Sequence, residues 1–101
     1  MVSHAREACG LLASRTRADL DRDRVLELAV VRLLEIVGEA AARVSHETQE
    51  RYDDLPWPAI IGLRNRLIHG YDSVDLDVLW AIVCTDLPPL VERLEQIVAS
   101  R

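Results

Sequence analysis

A chain of 101 residues has the length of one domain, large enough to bury a core yet small enough that association would help it. Half of the residues are apolar, only 4% are aromatic and none is Phe, so the core must be built from Leu, Val, Ile and Ala, which favours packed helices over a sandwich. The formal charge of −5 excludes a broad, nonspecific nucleic-acid surface while leaving room for a local basic site.

Residues from about Ser3 to Ser14 read as a short, weakly amphipathic helix through Ala5, Cys9, Leu11 and Leu12, interrupted by Gly10. Asp21 or Asp23 then caps a long second helix running to about Val44. In it Leu26, Ala29, Val30, Leu33, Leu34, Ile36, Val37, Ala40, Ala41 and Val44 cover an arc of roughly 160°, wide enough for two neighbours. The other side carries Arg32, Glu35, Glu39 and Arg43 at helical pairing distances, a solvated stripe of weak ion pairs unless Glu39 answers Arg64 further along the chain.

Ser45 to Asp54 is polar, with room for a helical turn, and precedes Pro56-Trp57-Pro58, whose prolines suit a helix start and forbid a helix interior. The next helix is expected from about Pro58 to His69. Asp72 to Asp75 forms a turn, with Asp75 as N-cap of a last helix in which Leu79, Val83, Leu87, Leu90, Leu94 and Ile97 recur at helical spacing. Pro88-Pro89 break its hydrogen-bond ladder, so a kink, or a restart capped by Asp86, is expected there. The reading is an all-α, antiparallel bundle of four main helices in a single domain, residues 1–101.

Cys9 and Cys84 stand alone, with no CxxC spacing and no leader, and read as buried free thiols; a disulfide between them is the alternative. No apolar run approaches the roughly 20 residues needed to span a bilayer, so a soluble, cytoplasmic protein with no membrane contact is expected. His4 and His46 have no second ligand at metal spacing, which argues against a metal site. Trp57 and Trp80 read as packing anchors. All twelve basic residues are Arg, which reflects either genomic base composition or the better bidentate grip of Arg on phosphate.

Chemistry concentrates in Leu63-Arg64-Asn65-Arg66-Leu67-Ile68-His69-Gly70-Tyr71-Asp72. On a helix turning about 100° per residue, Ile60, Ile61, Leu63, Leu67 and Ile68 form an apolar arc with Arg64 near its middle. A guanidinium there must meet a carboxylate, or open onto an interface or cleft where an anion reaches it. Asn65 and His69 are four apart and share a helix face, so the amide can orient the imidazole. With Gly70 as the residue just past the helix, His69 falls in the last turn, where the dipole favours its protonated form. Arg64 and His69 are five apart, roughly 140° around the axis, so either the helix end is irregular or two chains cooperate. Arg66 points away from the arc and reads as solvated.

The stretch Arg64 to Tyr71 resembles the Arg-x4-His-x-Tyr signature of HepT-like proteins, a branch of the HEPN superfamily of helical ribonucleases, and the Asn after the Arg fits too. The resemblance extends through Leu34-Glu35-Ile36-Val37-Gly38-Glu39-Ala40-Ala41, the run Leu55 to Asn65, and Val74-Asp75-Leu76-Asp77 to Asp86-Leu87-Pro88. It implies an all-helical homodimer in which Arg64, Asn65 and His69 of both chains line a central cleft. It implies metal-independent RNA cleavage with no cofactor: the ribose 2′-OH attacks the adjacent phosphate, His69 transfers a proton and Arg64 stabilises the transition-state charge. It further implies a toxin encoded beside a nucleotidyltransferase antitoxin of the MNT type, which transfers AMP to Tyr71 and blocks the site by bulk and like charge. The first helix is shorter than the N-terminal hairpin usual in the family.

Two other readings use the same residues. One is a noncatalytic helical dimer that binds a nucleotidyltransferase or nucleotide in the cleft. The other is a helical subunit in which Arg64 is an interface residue, His69 caps a helix end and Tyr71 sits at a rim.

Overall fold

Apolar spacing near 3.6 residues carries most of the chain into helix. The computed structural model describes residues 1–69 and 73–100, with His69 described through its backbone. Its helices are α1 (Val2–Leu12), α2 (Arg17–Arg22), α3 (Arg24–Ala42), α4 (His46–Arg51), α5 (Trp57–Ile61), α6 (Leu63–Leu67), α7 (Leu76–Ala81) and α8 (Leu87–Ser100). A π-helical segment, Ile82–Asp86, joins α7 to α8, and a two-residue antiparallel pair links β1 (Ile68–His69) to β2 (Ser73–Val74). The all-α bundle expected from the sequence is what forms. Among the described residues, no helix is long and apolar enough to cross a membrane.

α3 is the central element. Asp23 starts it, its carboxylate accepting from the Leu26 N–H at 3.0 Å, which satisfies one orphan donor of the first turn. Leu26, Val30, Leu34, Val37 and Ala41 are buried, and α1, α5 and α6 pack on them and their neighbours. α1 also lies on α8, while α7, the π-helical segment and α8 together bury Leu79, Val83, Leu87, Leu90 and Leu94 as their spacing predicts. The molecule measures 41 × 29 × 17 Å. Its thin dimension holds about two helix layers at the usual spacing of about 8–10 Å, so α3 has one face in the core and one without cover.

Several expected boundaries move. α1 runs through Gly10 without interruption. α2 is an additional turn, closed by a capping box between Thr16 and Asp19 that a reading based on apolar spacing passes over. Ser45 caps α4, and Trp57 anchors the following connection by burying its ring and donating from Nε1 to the Tyr52 carbonyl at 3.0 Å. Asp75 caps α7 as expected, accepting from the Val78 N–H.

Pro88-Pro89 are accommodated by the wider π ladder, in which the Leu87 N–H reaches back to the Ile82 carbonyl. Asp86 does not restart the helix as a cap. Its carboxylate accepts from Arg66 at 3.4 Å instead, so Arg66 is exposed as expected but tied to the last helix. Cys9 and Cys84 are free thiols rather than a disulfide; Cys9 is half-buried, but Cys84 is exposed, which corrects the expectation that both are buried.

The motif helix is the main correction. Rather than one helix from Pro58 to His69, the chain forms α5 and α6 on either side of Gly62. The Gly62 N–H bonds the Pro58 carbonyl and the Arg66 N–H bonds the Gly62 carbonyl, so the ladder is carried across the break. Helix then ends at Leu67, because β-branched Ile68 turns extended at φ −99°, ψ 120° and pairs with Val74. The Asp75 N–H donates to the Leu67 carbonyl at 2.9 Å, closing the base of the turn. His69 therefore lies in a short strand opposite Ser73, beyond the helix and its dipole end. Gly70, the expected residue just past the helix, and Tyr71, the expected AMP acceptor, lie outside the described residues.

Candidate functional site: the Arg64 cleft

The apolar arc around Arg64 divides when it folds. Ile60, Leu63 and Leu67 enter the core, whereas Ile61 is 40% exposed and Arg64 stands on its side of the helix, exposed as well. Of the two outcomes open to Arg64, meeting a carboxylate or opening onto a cleft, the second is the one observed. Arg64, Asn65 and Ile61 face Glu35, Gly38, Glu39 and Ala42 of α3 across a hollow of about 220 Å³. Gly38 makes this approach possible, since a Cβ there would lie 3.1 Å from the Ile60 carbonyl oxygen. α3 and α5 approach backbone to backbone at this point.

Among the described residues, Arg64 forms no ion pair or hydrogen bond. The carboxylates nearest in the cleft are held elsewhere: Arg32 meets Glu35 at 3.3 Å and Glu39 at 3.6 Å. The solvated stripe expected along α3 thus forms with Arg32 as its hub, and Glu39 does not answer Arg64. Arg66, on the other side of Asn65, is committed to Asp86. Arg64 is thus the guanidinium left in the cleft to receive an anion.

A second hollow, of about 340 Å³, lies between Pro56, Ile60, Ile82 and Leu90. It is apolar apart from Thr85 and the Arg66–Asp86 pair, and offers little for chemistry on a charged substrate. The smaller Arg64 cleft has the donors.

Asn65 lines the Arg64 cleft, but its expected helical i,i+4 relation to His69 does not exist, because the chain leaves the helix at Ile68. The irregular helix end allowed by the spacing of Arg64 and His69 is therefore real. The wall supplied by Glu35, Gly38 and Ala42 was not assigned to the site from sequence. Its one available signal was Gly38, a glycine inside an otherwise strong helical pattern, which marks a close backbone approach.

This cleft, with its free guanidinium beside an amide and a histidine two residues past the helix, lies within a chain that matches the family described as ribonuclease HepT-like over residues 1–97. The chain belongs to the HepT-like ribonuclease family. It is 38% identical over 73 residues to a protein of Methanocaldococcus jannaschii named as a candidate RNase, covering 72% of this chain and 67% of that one. It is 33% identical over 100 residues to a candidate RNase of Caldanaerobacter subterraneus subsp. tengcongensis, covering 95% and 89%. A protein of Thermococcus cleftensis named as a candidate ribonuclease HepT shares 35% identity over 95 residues, 90% and 86% of the two chains. No solved structure matches. Ribonuclease activity is the activity these relationships support.

Proposed function

We propose that this protein is a toxin endoribonuclease that cleaves RNA without a metal at a site composed in a homodimer. The observation that carries this reading is Arg64: an exposed guanidinium without a partner among the described residues, in a cleft whose two carboxylates both pair with Arg32 instead. A phosphodiester offers the paired oxygens that such a donor fork grips. In the proposed reaction the 2′-oxygen forms a bond to the adjacent phosphorus and the bond to the 5′-oxygen breaks. His69 moves the proton from the attacking hydroxyl towards the leaving oxygen, and Arg64 stabilises the charge on the phosphoryl oxygens. Asn65 positions rather than reacts.

Control by a nucleotidyltransferase of the MNT type fits the same reading. AMP attached to the Tyr71 hydroxyl would place a phosphodiester two residues from His69, where it competes for Arg64 and obstructs RNA. In the cytoplasm this would hold the toxin inactive until needed.

Purified protein should cleave RNA in the presence of a chelator, and Arg64→Ala and His69→Ala should each lower the rate by about 100-fold or more, with Asn65→Ala milder. Parental cleavage by both variants would remove the assignment. Intact mass after incubation with the cognate nucleotidyltransferase and ATP should rise by AMP for the parent and stay constant for Tyr71→Phe.

A further inference from the structure

The outer face of α3 carries Val25, Leu28, Arg32, Glu35, Glu39 and Ala42, at spacings that alternate three and four. That is the period of a two-helix seam. At one end of it Val25 is 77% exposed and Leu28 51% exposed, two large aliphatic side chains one turn apart. At the other end, Ala42 adjoins Ile61 in the Arg64 cleft, and Ile61 is 40% exposed. Between the two apolar ends lie Arg32 and Glu35, opposite in charge and adjacent in the seam.

We propose that a second copy of this chain docks antiparallel on α3, about a two-fold axis passing between residues 32 and 35, and that the partner's Arg32 completes the Arg64 cleft. This rests on the dimer of the proposed function and specifies its contact surface. In this register Arg32 faces the partner's Glu35, Val25 faces the partner's Ala42, and Leu28 faces the partner's Glu39, beside the partner's Ile61. Val25 and the partner's Ala42 meet at each end, and opposite charges meet at the centre, as a self-complementary interface requires. Sliding one step towards the C-terminus would set Glu35 against the partner's Glu39. Sliding one step the other way would set Val25 against the partner's Glu35 and leave Ala42 uncovered.

Because Glu35 lines the cleft, the partner's Arg32 stands at its open side. Each cleft then holds two guanidinium groups from two chains, Arg64 for the reacting phosphate and the partner's Arg32 on the flank. The intrachain Arg32 contacts to Glu35 and Glu39 mean that these charges enter the interface already partly neutralised, which lowers the cost of removing them from water.

Sedimentation of the full chain provides the test. The parent should be a dimer at micromolar concentration, while Arg32→Glu and Glu35→Arg should each raise the dissociation constant by about 100-fold, since each puts like charges across both halves of the seam. Mixing the two variants should restore a heterodimer, because the acidic pair of one chain then faces the basic pair of the other at both central contacts. Circular dichroism of each variant keeps folding separate from association. A monomeric parent, single variants that still dimerise, or a mixture that stays monomeric would each overturn the seam. The ribonuclease reading is judged separately by Arg64→Ala, which should remain dimeric and lose cleavage.

Discussion

Gly38 meets Ile60 so closely that an added Cβ would come within 3.1 Å of the Ile60 carbonyl oxygen. This contact sets the width of the Arg64 cleft, since Gly38 and Ile61 are both in its wall. Gly38→Ala has to move backbone by a few tenths of an ångström, and overpacking of this kind costs about 1–3 kcal/mol. Gly10 is the internal control: it is helical too, but a Cβ there meets nothing within 4 Å, so Gly10→Ala should gain about 0.5–1 kcal/mol. Urea titrations with unchanged m-values would show the opposite signs. Equal gains in both would mean that α3 and α5 are not in backbone contact.

The start of α3 rests on Asp23. Its carboxylate takes the Leu26 N–H at 3.0 Å, with Arg15 3.9 Å away on its other side. Asp23→Ala should lower stability by about 1 kcal/mol, and Asp23→Ser should recover most of that because a hydroxyl caps nearly as well. Thermal unfolding of the three proteins is the measurement.

Acid should weaken the fold through two carboxylates. The Asp19 carboxyl is held below its usual range by the Thr16 N–H, and that of Asp54 by the hydrogen bond from Arg93 at 2.6 Å. A carboxyl lowered on folding contributes stability that is present above its unfolded value of about 3.9 and is lost as pH falls through the folded value. The fall should therefore begin below about pH 4 and be shallower in Asp54→Asn. An equal slope for parent and variant in acid titrations of unfolding would remove Asp54 from the account.

The two thiols should react slowly. Burial pushes the Cys9 thiol up and Cys84 raises it further, while partial desolvation by its neighbours raises the exposed Cys84 thiol. Less thiolate at neutral pH means slower alkylation than for a free cysteine. Exposed Cys84 should label before half-buried Cys9, whose Sγ also donates to the Val83 carbonyl at 3.8 Å. Stability from these neutral thiols is full below their unfolded values and declines as pH rises through the raised ones. Mass spectrometry of partially alkylated protein gives the order of labelling.

Much of the fold is legible from apolar spacing. Leu26, Val30, Leu34, Val37 and Ala41, and later Leu79, Val83, Leu87, Leu90 and Leu94, enter the core as their period dictates. Caps at Asp23 and Asp75 follow from side-chain chemistry alone. What spacing misses is where a helix yields to tertiary bonds. Ile68 fits the helical arc equally well, but its pairing with Val74 and the Asp75 bond to the Leu67 carbonyl draw it into extended backbone. Arg64 is legible as an oddity within that arc, but the opposing wall of Glu35, Gly38 and Ala42 comes from a helix more than twenty residues earlier. No local pattern connects the two. Arg32 is similar: its pairing with both Glu35 and Glu39 depends on rotamers that spacing allows without choosing.

The bond from the Asp75 N–H to the Leu67 carbonyl, together with the Ile68–Val74 pair, makes the backbone of His69 a bracket fixed at both ends. One end hangs from the helix that carries Arg64, the other from the first turn of α7. The path of the backbone at residue 69 is therefore shared property of two helices. A push on α7 at Val78 or Leu79 would be transmitted to residue 69 without passing through the cleft, and a displacement of α6 would travel back along the same short lever.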